Sequence, residues 1–311
     1  MNKIDYQKVL RKIRPDEEEK KHINSLATLL IQIVNEKAEA NDINAQAVLV
    51  GSVAKGTWIS GKADIDIFIR FPLDTPLEIL KNNGLKLGLE CIKEMNGTHE
   101  YRYASHPYIT GSIDDLDIDF VPCYDIRESK KIKSAVDRTI PHTEYIKEHL
   151  MAEESDEVLL LKCFMKTVNT YGSEFKVGGF AGYLCELLIL HYQTFINVLE
   201  NASDKWKPGY KIDLARYGTA DQFNEPLIVV DPVDANRNVA AALSLQKMSE
   251  FTAASGNFLK NQSPHYFEPI PVRPDHDKIK ESFKSRGTKT IILTFKAPDI
   301  PADALYPQIN K

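Results

Sequence analysis

The sequence has few of the features that mark secreted, disulfide-linked or membrane-spanning proteins. Its four cysteines are far apart and form no C-x-x-C pair, so neither a zinc site nor a disulfide framework is predicted, and a reducing cytoplasm is the simplest compartment. The first residues, MNKIDYQKVLRKIRPDEEEKK, contain no apolar core, which argues against a signal peptide. The most apolar long stretch, 181–199, contains Glu186, His191, Gln193 and Asn197, which favours a buried helix over a membrane span.

An excess of basic residues is also missing. The chain has 39 Lys and Arg against 44 Asp and Glu, a formal net charge of −5. This balance argues mildly against a nucleic-acid-binding protein without excluding one, because a basic groove can lie on an acidic protein. The proportions of 43% hydrophobic and 27% charged residues are those of a soluble globular protein.

The length of 311 residues predicts two or three domains rather than one core. Residues 1–140 mix strands and helices. Their helices are predicted at 17–40 and 77–95, with a further helix starting near 53–58, and their strands at 47–50, 63–71, 101–108 and 115–121.

The pattern changes after residue 140. Residues 141–257 are mostly helical, with helices predicted at 142–150, 155–168, 182–199 and 238–259. Residues 258–311 contain a proline-rich connection, a helix at 277–286 and a strand at 288–295, too little to bury a core alone. We therefore expect the chain to stop inside a third domain, or this last piece to pack on the second.

Two aspartates on one predicted strand are the first candidates for chemistry. Because side chains alternate faces along a strand, Asp64 and Asp66 point the same way and the intervening isoleucines point the other. Adjacent carboxylates repel, so the pair needs a cation or a raised pKa. Mg²⁺ prefers oxygen ligands and leaves room for phosphate oxygens. A lone D-x-D, however, is more often a solvent-exposed strand face.

The segment before this strand favours a functional site. Gly51 follows a strand, where glycine lets the backbone turn sharply and approach a ligand. Ser52, at a helix start, offers its hydroxyl and backbone N–H to a phosphate. Lys55 and Thr57 add further donors. A phosphate-binding turn before an acidic strand predicts a nucleoside triphosphate site.

A third carboxylate is expected to complete a two-metal site. The strand DDLDIDFVPCY places Asp115, Asp117 and Asp119 on one face, with apolar side chains on the other. The alternation alone does not choose among the three.

These residues resemble a known family. GSVAKGTW followed by ADIDIF resembles the signature of the polymerase-beta-like nucleotidyltransferase superfamily. DIDFVPCY, IKSAVDRT, PHTEYIKEHL, KVGGFAGYLCELLIL and DPVDANRNVAAALS resemble successive segments of the archaeal (class I) CCA-adding enzymes, and YFEPIPVRP to ALYPQ resembles the family further on. Those enzymes are tRNA nucleotidyltransferases that build the CCA end without a nucleic-acid template. The resemblance extends over nearly the whole chain.

The resemblance implies an α+β fold in three parts. Residues 1–140 would be the nucleotidyltransferase catalytic head, a mixed sheet with helices, and 141–257 a helical domain that binds nucleotide and primer. Residues 258–311 would begin a C-terminal RNA-binding domain that is incomplete. Two departures from the family are present: Gly178 stands where an arginine is expected, and the tail that in the family grips the elbow of tRNA does not follow ALYPQ.

The resemblance also implies a role for each site residue. Asp64, Asp66 and Asp119 would be the catalytic metal ligands, which favours Asp119 over its two neighbours. The nucleotide site would comprise Gly51, Ser52, Lys55, His142, Lys162, Tyr171 and Arg237. Of these, Ser52 and Lys55 would contact the triphosphate, and Arg237 would help to recognise the base or the primer end.

Each of the last four residues also has a structural interpretation. His142 opens a predicted helix and could be a cap or surface residue. Lys162, between apolar neighbours, needs an anionic partner or must extend to water. Tyr171 could pack at a helix end, and Arg237 could pair with Asp231 or Asp234 to fix a turn.

The activity implied is transfer of C, C and A from CTP and ATP to the 3′ end of the tRNA acceptor stem, with Mg²⁺ as cofactor and release of pyrophosphate. A cytoplasmic enzyme with no membrane partner is expected, and a homodimer is left open. Poly(A) polymerases and oligoadenylate or cyclic-dinucleotide synthases share the same head and are the nearest alternatives. A catalytically silent RNA-binding protein is the alternative of another class.

Overall fold

The computed structural model describes residues 4–103, 106–126, 136–268 and 275–287, with scattered positions beyond 288. Its first part, up to residue 126, contains α1 (Tyr6–Ile13), α2 (Glu17–Ala40), β1 (Gln46–Val50), α3 (Gly51–Lys55), β2 (Ile65–Phe71), α4 (Leu77–Glu94), β3 (Thr98–Tyr103), β4 (Pro107–Ile113) and β5 (Leu116–Tyr124). After residue 136 follow α5 (Thr139–His149), α6 (Ala152–Thr167), α7 (Gly182–Tyr192), α8 (Phe195–Lys205), β6 (Tyr210–Asp213), β7 (Leu227–Asp231), β8 (Asp234–Asn238), α9 (Leu245–Lys260) and α10 (His276–Ser285).

The head is a five-stranded mixed sheet with helices α2 and α4 packed on it. The strand order is β1-β2-β5-β4-β3, in which β2 and β5 are parallel and the other neighbours antiparallel. Helix α2 starts where predicted because the Asp16 side chain accepts the Glu19 N–H. Its buried stripe, including Ile23 and Leu30, faces a core that contains Ile65 and Phe120.

The second part is mostly helical and has its own core. Helices α6, α7, α8 and α9 surround a group of aromatic rings that includes Phe164, Phe195 and Phe258. Helix α1, which was not predicted, packs on α6, and its Leu10 and Ile13 belong to this second core rather than to the head. A three-stranded sheet, β6-β7-β8, was not predicted either. The predicted α+β class, with a mixed sheet and helices followed by a mostly helical part, is confirmed.

Several predicted elements differ in detail. The strand predicted at 101–108 is wrong, since β3 and β4 are two antiparallel strands of a hairpin. The helix predicted at 182–199 is two helices, separated at Gln193, whose φ is 72°. The helix predicted at 238–259 begins only at Leu245, because Asn238 ends β8, residues 239–242 form a turn, and Ser244 caps the helix.

The last segment contains helix α10, close to the predicted bounds, and none of its side chains is buried. Of the strand predicted at 288–295, positions 289 and 291–294 form no strand, and 288, 290 and 295 lie outside the described residues. A third domain therefore stays a prediction. In the described ranges, no helix combines the length and the apolar character needed to cross a lipid bilayer.

Candidate active site

Two of the predicted aspartates lie side by side in the centre of the head. Asp66 on β2 is directly opposite Asp119 on the parallel strand β5. Thr110 on β4 is opposite Asp119 on its other side, and its hydroxyl donates to Asp119 Oδ1 at 2.5 Å. The alternate residues Ile65 and Ile118 are fully buried, so the aspartates occupy the face away from the head core.

The strand register also separates the three candidates for the third carboxylate. Asp115 lies before β5 in a turn, with a φ of 61°, and is exposed. Asp117 lies on β5 but is exposed at its start, whereas Asp119 is half-buried next to Asp66. Asp64 is the residue immediately before β2. The arrangement pairs Asp119 with Asp66 and leaves Asp115 in the turn, while the charges of Asp64 and Asp117 both act on Asp119.

The carboxylates lie in an electrostatic field that disfavours their charge. Burial raises the pKa of Asp66 to about 7, and the nearby charges of Asp119 and Asp64 add to this effect. Burial also raises the pKa of Asp64, with Asp117 as the next cause, and it raises the pKa of Asp119 despite the Thr110 hydrogen bond. A bound cation would relieve this repulsion.

Gly51 allows the chain to turn directly against Asp66. Its φ of 73° lies in the left-handed region, and a Cβ placed on it would lie only 1.9 Å from Asp66 Oδ2. Its N–H donates to Thr143 Oγ1 of helix α5 at 3.3 Å. Ser52 follows as the second residue of α3, so the predicted phosphate-binding turn adjoins the carboxylates.

Lys55 and Lys162 meet at a buried carboxylate between the head and the helical part. Glu186 on α7 is fully buried, and its Oε2 lies 2.6 Å from Lys55 Nζ. Its Oε1 accepts the Thr57 hydroxyl at 2.6 Å and lies 3.5 Å from Lys162 Nζ. The Lys162 amine also donates to the Thr57 carbonyl at 2.9 Å. We call Lys55, Thr57, Lys162 and Glu186 the lysine cluster.

Tyr171 lies beside the lysine cluster, near the start of α7. A Cβ added to Gly182 would lie 3.1 Å from the Tyr171 hydroxyl and 3.6 Å from Lys162 Nζ, so the glycine lets both groups approach the start of α7. The Lys166 amine lies 5.0 Å from the Tyr171 ring centroid. Its positive charge counteracts part of the rise in the pKa of Asp64. Sequence reasoning did not select Lys166.

His142 and Arg237 converge on one buried aspartate. Asp231, at the end of β7, accepts hydrogen bonds from His142 Nε2 at 2.7 Å and from Arg237 Nη1 at 2.8 Å. The Tyr183 hydroxyl donates to the other carboxylate oxygen at 3.3 Å, and the Tyr183 ring stacks on His142 with centroids 3.9 Å apart. Burial alone would raise the pKa of Asp231, but the donors around it, including the Val233 N–H, hold the pKa below its usual range.

Asp231→Ala is expected to destabilise the protein by about 2–4 kcal/mol, because His142 and Arg237 would lose their shared acceptor in a buried setting. Denaturant unfolding measures this loss. Asp234→Ala is the matched control in the same hairpin. Asp234 accepts from the half-buried Arg138 at 2.9 Å and from the exposed Asn236 N–H at 3.2 Å, but it is itself less buried than Asp231. Equal losses for the two variants would show that the position of the acid in this hairpin does not matter.

The comparisons with family models and with related sequences agree on one family. A model of the nucleotidyltransferase domain matches residues 29–142, and a model of the tRNA nucleotidyltransferase second domain matches residues 156–268. The CCA-adding enzyme of Methanothermobacter thermautotrophicus is 56% identical over 307 residues, covering 99% of this chain and 67% of that protein. The chain belongs to the CCA-adding enzyme family. The CCA-adding enzyme of Methanosarcina acetivorans is 42% identical, covering 97% of this chain and 66% of that protein.

The chain thus spans about two thirds of the length of these CCA-adding enzymes. Solved structures share its fold at low identity. The RNA terminal uridylyl transferase Cid1 has a TM-score of 0.67 and 16% identity, covering 86% of this chain and 98% of that chain. Cid1 poly(U) polymerase with Mg and 3′-dATP bound has a TM-score of 0.66 and 17% identity, covering 85% of this chain and 98% of that chain.

Within this CCA-adding enzyme fold, the donor set suits a hard divalent cation. Asp64, Asp66 and Asp119 supply only carboxylate oxygens, and the nearby cations compensate only part of the effect of burial and mutual repulsion. Among the residues that the structure describes, no three His, Cys, Asp or Glu side chains are arranged closely enough to form a preformed metal site. Without a bound cation, repulsion between the three carboxylates opposes their approach to the short distances of a metal site. The chemistry of these residues fits a divalent metal ion.

Sequence reasoning missed two residues around which the site is organised. Glu186 was noted only as a polar residue in an apolar helix, and Asp231 only as a pairing partner for Arg237. The signal for Glu186 was present, since a carboxylate in the run GYLCELLILHY must find cationic partners if the helix is buried. Which cations it meets depends on tertiary packing, because Lys55 is 131 residues away.

Proposed function

We propose that this chain adds C, C and A to the 3′ end of tRNA, using CTP and ATP and releasing pyrophosphate. The observation that carries the proposal is the pairing of Asp66 with Asp119 on parallel strands beside the Gly51 turn, in a chain of the CCA-adding enzyme family. The enzyme would work in the cytoplasm. Residues 1–140 would form the catalytic head, 141–257 the nucleotide- and primer-binding part, and 258–311 the start of an RNA-binding domain.

Asp64, Asp66 and Asp119 would hold Mg²⁺, which when bound would polarise the reacting phosphate and lower the pKa of the attacking 3′ hydroxyl. Other residues of the chain orient two of these carboxylates in the absence of a metal ion. Thr110 orients Asp119 through its 2.5 Å hydrogen bond. The Gly51 turn lies against Asp66 and thereby limits where that carboxylate can move.

Ser52, Lys55, Lys162 and Tyr171 would bind the triphosphate. Holding the phosphates in line with the attacking hydroxyl is most of the catalytic task in phosphoryl transfer. The Lys55 and Lys162 side chains are only 8% and 4% exposed, so their amines are already fixed by Glu186 and Thr57. Amines with little freedom lose little conformational entropy when a phosphate binds.

His142 and Arg237 would contact the base, the ribose or the primer end. Both are oriented by Asp231, which lies at the start of the β7–β8 turn. Because His142 Nε2 engages Asp231, its Nδ1 is the nitrogen left to face a ligand. The choice of C or A would then depend on these side chains together with the RNA end.

The decisive experiment supplies Mg²⁺, labelled CTP and ATP, and a tRNA transcript lacking its last three nucleotides. We expect a product three nucleotides longer that requires both triphosphates. The same reaction with a short acceptor-stem minihelix distinguishes two explanations for a failure on whole tRNA: weak binding of the tRNA, or absence of nucleotide-transfer activity. Extension of the minihelix but not of whole tRNA would show that the chain transfers nucleotides but binds the rest of the tRNA weakly.

Other outcomes identify the alternatives. Extension by A alone would indicate a poly(A) polymerase, and primer-independent products from ATP would indicate an oligoadenylate or cyclic-dinucleotide synthase. RNA binding without any nucleotide transfer to either substrate would indicate a silent RNA-binding protein.

A further inference from the structure

Glu186 is the group on which the lysine cluster depends. The head contributes Lys55 and Thr57, and the helical part contributes Lys162 and Glu186. All three partners of Glu186 reach its two carboxylate oxygens, at 2.6, 2.6 and 3.5 Å. Glu186 is itself fully buried. A single carboxylate therefore ties the two parts of the chain together at the point where both predicted phosphate-binding amines lie.

The charges of the lysine cluster do not cancel. Two amines face one carboxylate in a buried setting, so the carboxylate can balance the charge of only one of them. Burial works against the protonated form of Lys162 and lowers its pKa, while the charge of Glu186 opposes this change. Without Glu186, two like charges would remain close together with no compensating anion. The carboxylate thus supplies the opposing charge beside which the two amines lie.

We propose that Glu186 is a positioning residue of the nucleotide site, which holds the Lys55 and Lys162 amines together across the boundary between head and helical part so that both can bind one triphosphate. This inference rests on the proposed function, because it takes these amines as phosphate contacts. Glu186 does not touch the reacting atoms. Its effect should therefore appear in nucleotide affinity rather than in the affinity for RNA.

The test compares Glu186→Gln with Glu157→Gln. Glutamine keeps an oxygen for the Thr57 hydroxyl but removes the charge that holds the two amines. Glu157 is a suitable control because it accepts the Phe195 N–H at 2.7 Å, in the same part of the chain but away from the lysine cluster. We expect Glu186→Gln to raise the KM for CTP and ATP about tenfold, the effect of losing one charge-assisted contact, with the KM for the RNA primer unchanged. Glu157→Gln should change none of the three.

Glu186→Asp is the conservative variant. It keeps the charge but is one methylene shorter, so we expect a smaller rise in nucleotide KM than for Glu186→Gln. If Glu186→Gln does not fold, Thr57→Val removes only the hydroxyl that donates to Oε1 and is expected to raise nucleotide KM by a few-fold. An unchanged nucleotide KM in whichever variant folds would overturn the proposal. An equal rise for nucleotide and RNA would also overturn it, because that pattern indicates general loosening.

Equilibrium binding of CTP in the presence of Mg²⁺, measured by calorimetry, separates this inference from the proposed function. A wild-type chain that binds CTP but adds no nucleotide to RNA would contradict the proposed function only. Equal CTP affinity of the wild type and Glu186→Gln would contradict the role of Glu186 only.

Discussion

Asp66→Asn is expected to lower nucleotide addition by at least about 10²–10³-fold, the range for removing one preorganised electrostatic contact with the transition state. The same change is expected to stabilise the metal-free protein above neutral pH. Both effects have one cause. The charge of Asp66 is favourable when a cation is bound, but it destabilises the metal-free folded protein. The raised pKa of Asp66, about 7, shows that the metal-free fold disfavours the charged carboxylate. Loss of function with gain of stability is characteristic of a strained active site.

The sign of the pH dependence follows from the shift. The pKa of Asp66 is raised from 3.8 in the unfolded chain to about 7 in the folded one, so the folded state holds the proton more tightly. The resulting stability is fully present below about pH 4 and is lost as the pH rises through 7. A shift of this size corresponds to an energy on the order of 4 kcal/mol. Asparagine cannot ionise and should not show this loss.

Thermal unfolding in EDTA at pH 5 and pH 8 measures the effect. We expect the wild-type Tm to fall between these pH values by more than that of Asp66→Asn, and added Mg²⁺ to restore the wild type alone. Asp115→Asn is the control, since Asp115 lies in an exposed turn with a φ of 61° that asparagine tolerates. A metal-free Asp66→Asn protein that is less stable than the wild type at pH 8 would contradict the account.

The elements that could be predicted from the sequence are those with strong local signals. Helix α2 has an aspartate cap and an apolar stripe at helical spacing, and its bounds follow directly. Strands β2 and β5 alternate apolar and acidic residues, which places the aspartates on one face. Short strands such as β6 and β8 carry no such alternation and depend on pairing with β7, so they were missed.

The residues of the candidate site likewise include some that local sequence patterns predict and some that depend on tertiary packing. The sequence pattern left Asp115, Asp117 and Asp119 equivalent, whereas the parallel register of β2 and β5 puts Asp119 beside Asp66. Lys55 and Thr57 lie 131 and 129 residues from Glu186, in the other part of the chain, and His142 lies 89 residues from Asp231. Contacts of this kind are decided by tertiary packing, so a local pattern shows that a partner is needed without identifying it.

Gly51→Ala is the second change with a large expected effect. The new Cβ would lie 1.9 Å from Asp66 Oδ2, and the φ of 73° would strain any side chain. We expect a destabilisation of about 2–5 kcal/mol, the sum of backbone strain and steric overlap. Activity should fall by about 10²-fold or more, because relief of the overlap moves either the carboxylate or the turn that precedes Ser52.

Gly61→Ala is a control that measures the cost of backbone strain without steric overlap. Gly61 has a similar φ of 66°, but nothing lies within 4 Å of its added Cβ, so only the strain of about 1–2 kcal/mol remains. The double variant Gly51→Ala/Asp66→Ala isolates the overlap, since the shorter side chain leaves room for the new methyl group. Gly51→Ala should cost less stability in the Asp66→Ala background than in the wild type, as measured by a double-mutant cycle in denaturant. Additive losses would mean that Gly51 is required for its backbone conformation alone, and that its close approach to Asp66 has no energetic role.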